Sequence, residues 1–110
     1  MRQCLFCKII NKEVSSDIVY EDDKVVVFKD INPKGPVHFL IVPKKHLESI
    51  KSEGSEKVAA ELILTAKKIA KERKIEGYKL VFNVGKKGGQ MIEHLHLHLL
   101  GGKTLSWSKY

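Results

Sequence analysis

The chain has 110 residues, with 20 Lys and Arg against 13 Asp and Glu, a net charge of +7 and 43% apolar residues. One α+β-sized domain over residues 1–110 with a real core is expected at this length. No apolar run approaches the ~20 residues of a membrane span and MRQCLFCKII lacks a signal-peptide cleavage pattern, so a cytoplasmic protein with no membrane partner is expected. The positive balance suits an anionic partner such as a phosphate or nucleotide. Most lysines are interleaved with acids, as in KKIAKERKIEGYK, which marks solvated helix and turn surface; nucleic acid is not an expected partner.

In chain order, residues 4–12 (CLFCKIINK) carry apolar residues at 5, 6, 9 and 10 and suit a short amphipathic helix. Residues 18–20 and 24–30 read as strands around an acidic turn at 21–23. Residues 31–36 form a loop rich in turn residues. Residues 37–42 form the next strand, ended by Pro43, and 44–49 turn away from it. The one long helix covers 55–74, with Val58, Leu62, Ala66, Ile69 and Ala70 at helical spacing, Ser55 as N-cap and Gly77 breaking the run. A strand at 78–84, a Gly-rich loop at 85–90 and a strand at 94–100, stopped by Gly101-Gly102, complete the chain. Hairpin-like links between the first strands, without regular β-α-β alternation, predict an α+β fold with an antiparallel sheet.

The sequence HLHLHLL at 94–100 holds three of the five histidines at a spacing of two. On a strand this puts His94, His96 and His98 on one face and Leu95, Leu97 and Leu99 on the other. Three readings follow: imidazoles converging on a catalytic metal, one histidine acting as nucleophile or base among supporting neighbours, or a polar outer face. Cys4 and Cys7, spaced C-x-x-C, suit a metal or redox pair, or two ordinary thiols; a zinc site would need about two more ligands. The loop from Asn83 to Gln90 leads into the histidine strand, and its glycines suit a close backbone approach to phosphate. Asp30, at a strand end, suits ribose hydroxyls or a solvated turn. His38 and His46 read by themselves as a core and a loop histidine.

Together, DINP…VHFLIVPKKH (30–46), GGQ…HLHLHLL (88–100), CLFCKII (4–10) and LGGK…W (100–107) resemble the histidine triad (HIT) superfamily and its Hint branch of nucleoside phosphoramidases. The likeness runs from about residue 4 to 107. It implies a HIT fold, with one short and one long helix on an antiparallel sheet that continues across a homodimer. It also implies cleavage of the P–N bond of adenosine or guanosine phosphoramidates through a nucleotidyl-histidine intermediate. By this resemblance His96 is the nucleophile, His98 binds a phosphoryl oxygen, and His38 supports them. Asn83 and the N–H groups around Gly89, Gln90 and Met91 position phosphate, Asp30 takes the ribose, and Phe6, Ile9, Phe28 and Ile31 wall the purine. Trp107 matches a residue that reaches the partner's site. Cys4, Cys7, His46 and His94 match a structural Zn2+ set; the catalytic step needs no metal. Met91 departs from the usual small hydroxyl residue near the leaving group, and Glu93 replaces a commonly aromatic one. The other readings are a diadenosine polyphosphate hydrolase, a non-catalytic purine-nucleotide-binding module and a three-histidine metallohydrolase.

Overall fold

The computed structural model describes residues 4–102, so Trp107 lies outside the described residues. Helix α1 (Leu5–Ile10) is followed by strands β1 (Ile18–Glu21), β2 (Val25–Lys29) and β3 (Val37–Pro43), helix α2 (Ser55–Glu72), and strands β4 (Tyr78–Val81) and β5 (Leu97–Gly101). The five strands form one sheet in the order β1-β2-β3-β5-β4, with every neighbouring pair antiparallel. The α+β fold with one short and one long helix is as expected from the sequence.

Both faces of the central strands are covered, which explains why VVVFK and VHFLIV read as nearly unbroken apolar runs. Alternation then divides the core in two. Val25, Val27, Phe39, Ile41, Leu97 and Leu99 pack with Leu62, Ala66, Ile69 and Ala70 of α2. Val26, Phe28, Leu40 and Val42 face the other way and pack with Phe6 and Ile9 of α1. A six-residue helix is far too short to persist alone. Burial of Phe6 and Ile9, each contributing roughly 1.5–3 kcal/mol, holds α1 on the sheet. The register pairs His38 with Leu100 and Leu40 with His98, so both histidines lie on the α1 face.

Several boundaries differ from the sequence reading, and Pro43 is the last residue of β3 and not its stop. The cap of α2 is Gly54 at φ +80°, and Ser55 is the first helical residue, its hydroxyl donating to the Ile50 carbonyl. Glu21 pairs with Val26 inside β1 instead of opening the turn. Strand β4 ends at Val81, the last residue with a partner on β5. Strand β5 starts at Leu97 instead of His94, because its ladder with β3 ends at the Ile41–Leu97 pair. Before it, the Leu95 N–H bonds to the Leu47 carbonyl (2.6 Å), so this part of the chain is held by the segment after β3. Side-chain alternation nevertheless persists, with Leu95 in the α2 core.

Candidate active site and metal cluster

A cleft of about 480 Å³ lies on the α1 side of the sheet. Phe6, Ile9 and Phe28 line its apolar part, with Ile31 at an exposed edge. Asp30, His38, His96, His98, Asn83, Gly89 and Met91 line its polar part. Gln90 is not among the lining residues: it is buried, with its amide bonded to three backbone groups. The sequence reading missed several members, including Val14, Ser15, Ser16 and Lys34. They come from loops, where no periodicity singles them out.

Backbone partners set the proton positions in the histidine row. His96 Nδ1 lies 2.7 Å from the His94 carbonyl oxygen, an acceptor only, so Nδ1 carries the proton and Nε2 the lone pair. Burial lowers the basicity of His96, with its hydrogen bond to the His94 carbonyl and the nearby Asp30 charge opposing in part. The ring is therefore neutral near pH 7. The Lys34 N–H donates to His38 Nδ1 (3.0 Å), which puts the His38 proton on Nε2. That Nε2 donates to His98 Nδ1 (2.9 Å), and Asp30 Oδ2 stands 3.4 Å from it. The proton of a neutral His98 is thereby held on Nε2. Burial also depresses His38 and pushes His98 down to about 4, with the neighbouring imidazoles adding to the effect on His98. Phe6 packs edge-on against both His94 and His96, at centroid distances of 5.8 and 5.1 Å.

A second cluster lies at the mouth of α1. Cys4 Sγ and Cys7 Sγ each stand 3.3 Å from an imidazole Nδ1, that of His94 and that of His46 respectively. The two Nδ1 atoms are 3.1 Å apart, and Cys7 Sγ is 3.6 Å from His94 Nδ1. Metal–ligand bonds of ~2.3 Å to sulfur and ~2.05 Å to nitrogen give tetrahedral edges of about 3.6 Å for S···N and about 3.3 Å for N···N. The four residues fit such an ion. His94 Nε2 donates to the Pro43 carbonyl (2.8 Å), which turns the Nδ1 lone pair into the cluster. Burial holds His94 down at about 4, so it is neutral and able to ligate.

Asp30, His38 and His98 also bring their polar atoms close together. Here the His38 Nε2 proton stands between the acceptors, and freeing that nitrogen would set a second N–H against the Lys34 N–H. This group is a hydrogen-bonded relay. The structure thus divides the three alternating histidines into two environments, His94 with the thiols and His96 and His98 in the cleft.

An antiparallel α+β sheet with such a histidine row defines the class of histidine-triad proteins. The chain belongs to the HIT family, whose domain pattern matches residues 11–105. It is 45% identical over 106 residues to an uncharacterized HIT-like protein of Synechococcus elongatus, covering 94% of this chain and 93% of that one. It is similar to a HIT family hydrolase from Legionella pneumophila Philadelphia 1 at a TM-score of 0.91 and 42% identity, covering 98% of this chain and 100% of that one. A zinc-bound histidine triad family protein from Mycobacterium smegmatis matches at a TM-score of 0.83 and 29% identity, over 96% of this chain and 81% of that one.

Proposed function

We propose that this chain is a purine nucleoside phosphoramidase that cleaves the P–N bond of adenosine or guanosine phosphoramidates, with the whole chain, 1–110, forming one HIT domain. The observation that carries the reading is the His96 ring. Its Nδ1 proton is donated to the His94 carbonyl, leaving the Nε2 lone pair as the nucleophile in a cleft of nucleotide size. In the first step His96 Nε2 bonds to phosphorus while the P–N bond breaks, and the amine departs with a proton from solvent. The Nδ1 proton stays on the ring, where the His94 carbonyl stabilises the positive charge of the intermediate. Water then attacks phosphorus, the Nε2–P bond breaks, a nucleoside monophosphate leaves, and the proton borrowed from solvent is returned.

His98 donates its Nε2 proton to a phosphoryl oxygen, and His38 keeps that proton in place. Asn83 and the backbone N–H groups near Gly89 and Met91 complete the phosphate contacts; one such donor is worth roughly 3–4 kcal/mol in comparable sites. Asp30 binds the ribose, and Phe6, Ile9, Phe28 and Ile31 enclose the purine. Cys4, Cys7, His46 and His94 hold a structural Zn2+, which when bound ties α1 to the chain entering β5; the chemical step runs without it. Two thiols kept for a metal suit the reducing cytoplasm. A homodimer continuing the sheet is supported by the edge position of β4 and by the partly exposed Tyr78 and Leu80 on it; Ile63 and Leu64 of α2 are exposed as well.

The deciding experiment mixes the protein with adenosine 5′-phosphoramidate, quenches within one turnover and maps adducts by mass spectrometry. An adenylyl group on His96 is expected. Adenosine phosphoramidate neither turned over nor transferred to His96 would leave a nucleotide-binding module as the reading. Diadenosine polyphosphate cleaved faster than the phosphoramidate would select the other hydrolase.

A further inference from the structure

We propose that Gln90 is a positioning residue that couples the Cys4–Cys7–His46–His94 cluster to the phosphate end of the cleft; this rests on the nucleotide-binding reading above. Gln90 is 8% exposed, and its amide orientation is forced by its partners. Oε1 accepts from the Gly85 N–H (2.9 Å), while Nε2 donates to the carbonyls of Glu48 (2.6 Å) and Ile92 (3.0 Å). Both amide protons are committed, so none is left for a phosphate oxygen without breaking one of these bonds.

The identity of the two acceptors gives the arrangement its meaning. Glu48 is two residues after His46, and Ile92 is two residues before His94. One NH2 group therefore fixes the spacing of the two segments that bring their imidazole Nδ1 atoms to 3.1 Å. On the other side, Gly89 and Met91 flank Gln90 in the chain and line the cleft. The Gln90 N–H, bonded to the Gly85 carbonyl (3.0 Å), closes the loop that carries them. A phosphate that orders this loop favours the imidazole spacing a metal needs, and a bound metal favours the ordered loop. Linkage requires the two effects to be equal in size.

The test titrates AMP calorimetrically into zinc-loaded and chelator-stripped protein, and measures zinc affinity by competition with and without AMP. Circular dichroism checks the fold of every sample. In the unaltered protein each ligand is expected to tighten the other by the same factor, roughly fivefold or more. Gln90→Met removes all three side-chain bonds and Gln90→Glu keeps only the one from Gly85. In both, the factor is expected to fall below about twofold, with KM for the phosphoramidate rising more than kcat falls. If Gln90→Met does not fold, Gln90→Glu decides. Coupling that survives in a folded variant overturns the inference. AMP that binds the unaltered protein equally with and without zinc overturns the inference and leaves the proposed function standing. AMP that binds neither form overturns both.

Discussion

The imidazole of His96 donates from Nδ1 to the carbonyl oxygen of His94, two residues earlier, across 2.7 Å. The same residue, His94, sends its side chain to the thiols and its backbone oxygen to the His96 ring. The first triad position thus serves two sites through two different atoms.

Replacing His96 by Ala removes the nitrogen proposed to attack phosphorus while leaving the other cleft walls in place. Phosphoramidate turnover is expected to fall on the order of 10⁴-fold or more. The adenylyl adduct should disappear, while AMP still binds with a similar affinity by calorimetry. Substantial turnover by a His96→Ala preparation free of contaminating enzyme would remove His96 from the nucleophile's role.

The buried relay has a consequence for acid stability. His98 titrates at about 4 in the folded chain, below the 6.5 of the free side chain. Above pH 6.5 both folded and unfolded forms carry it neutral. As pH falls from 6.5 towards 4 the unfolded form takes up a proton that the folded form refuses, so stability declines. The slope from one such group stays below ~1.4 kcal/mol per pH unit. His98→Asn is therefore expected to show a shallower loss of urea-unfolding free energy between pH 6.5 and 4. Parallel curves for the two proteins would contradict this assignment.

Metal analysis of the purified protein should find about one zinc per chain. Ligand-linked stabilisation is worth about 4 kcal/mol at a thousandfold excess over Kd, so chelation should lower the melting temperature and zinc should restore it. Cys7→Ser should abolish that response. The kcat of stripped, folded protein at saturating substrate is expected to stay within about threefold of the loaded form. A kcat that vanished with zinc while the fold survived would return the metallohydrolase reading.

Met91 lines the cleft and is 91% exposed. A thioether cannot donate to a departing nitrogen. Met91→Ser supplies a donor there, and a hydrogen bond to a charge developing in the transition state is worth ~1.5 kcal/mol or more. Turnover of alkylamine phosphoramidates should rise roughly tenfold, with a smaller gain for arylamines, whose nitrogen leaves more readily. Identical rates for both substrate series would show that residue 91 takes no part in leaving-group departure.

Much of the architecture was legible because period-two and helical spacings are local properties. The division into His and Leu faces survives at Leu95, even though the ladder does not begin until Leu97. The strand start itself was not legible, because β3 runs on to Pro43 while the chain before Leu97 is bonded to the Leu47 carbonyl, a partner distant in sequence. The cap of α2 departs from the expected Ser55 for a related reason. Ser55 has the chemistry of a cap, but its hydroxyl is drawn to Ile50, and Gly54 takes the left-handed conformation before the helix. The four cluster residues were named from resemblance, and folding brings Cys4 and His94, 90 positions apart, to 3.3 Å. The motif names Gln90 only through the N–H groups around Gly89 to Met91; that its side chain turns onto three backbone groups follows from the fold alone.

The sequence by itself determined the α+β class, the two faces of the histidine row and the residue types gathered at the cleft, since these follow from spacing and chemistry along one stretch of chain. Only the tertiary structure decided which nitrogen of His94, His96 and His38 holds the proton. That choice belongs to the carbonyls of Pro43 and His94 and the N–H of Lys34. Every residue offers a carbonyl and all but proline an N–H, so no side-chain pattern records which of them will lie against a ring; their positions exist only once the chain has folded.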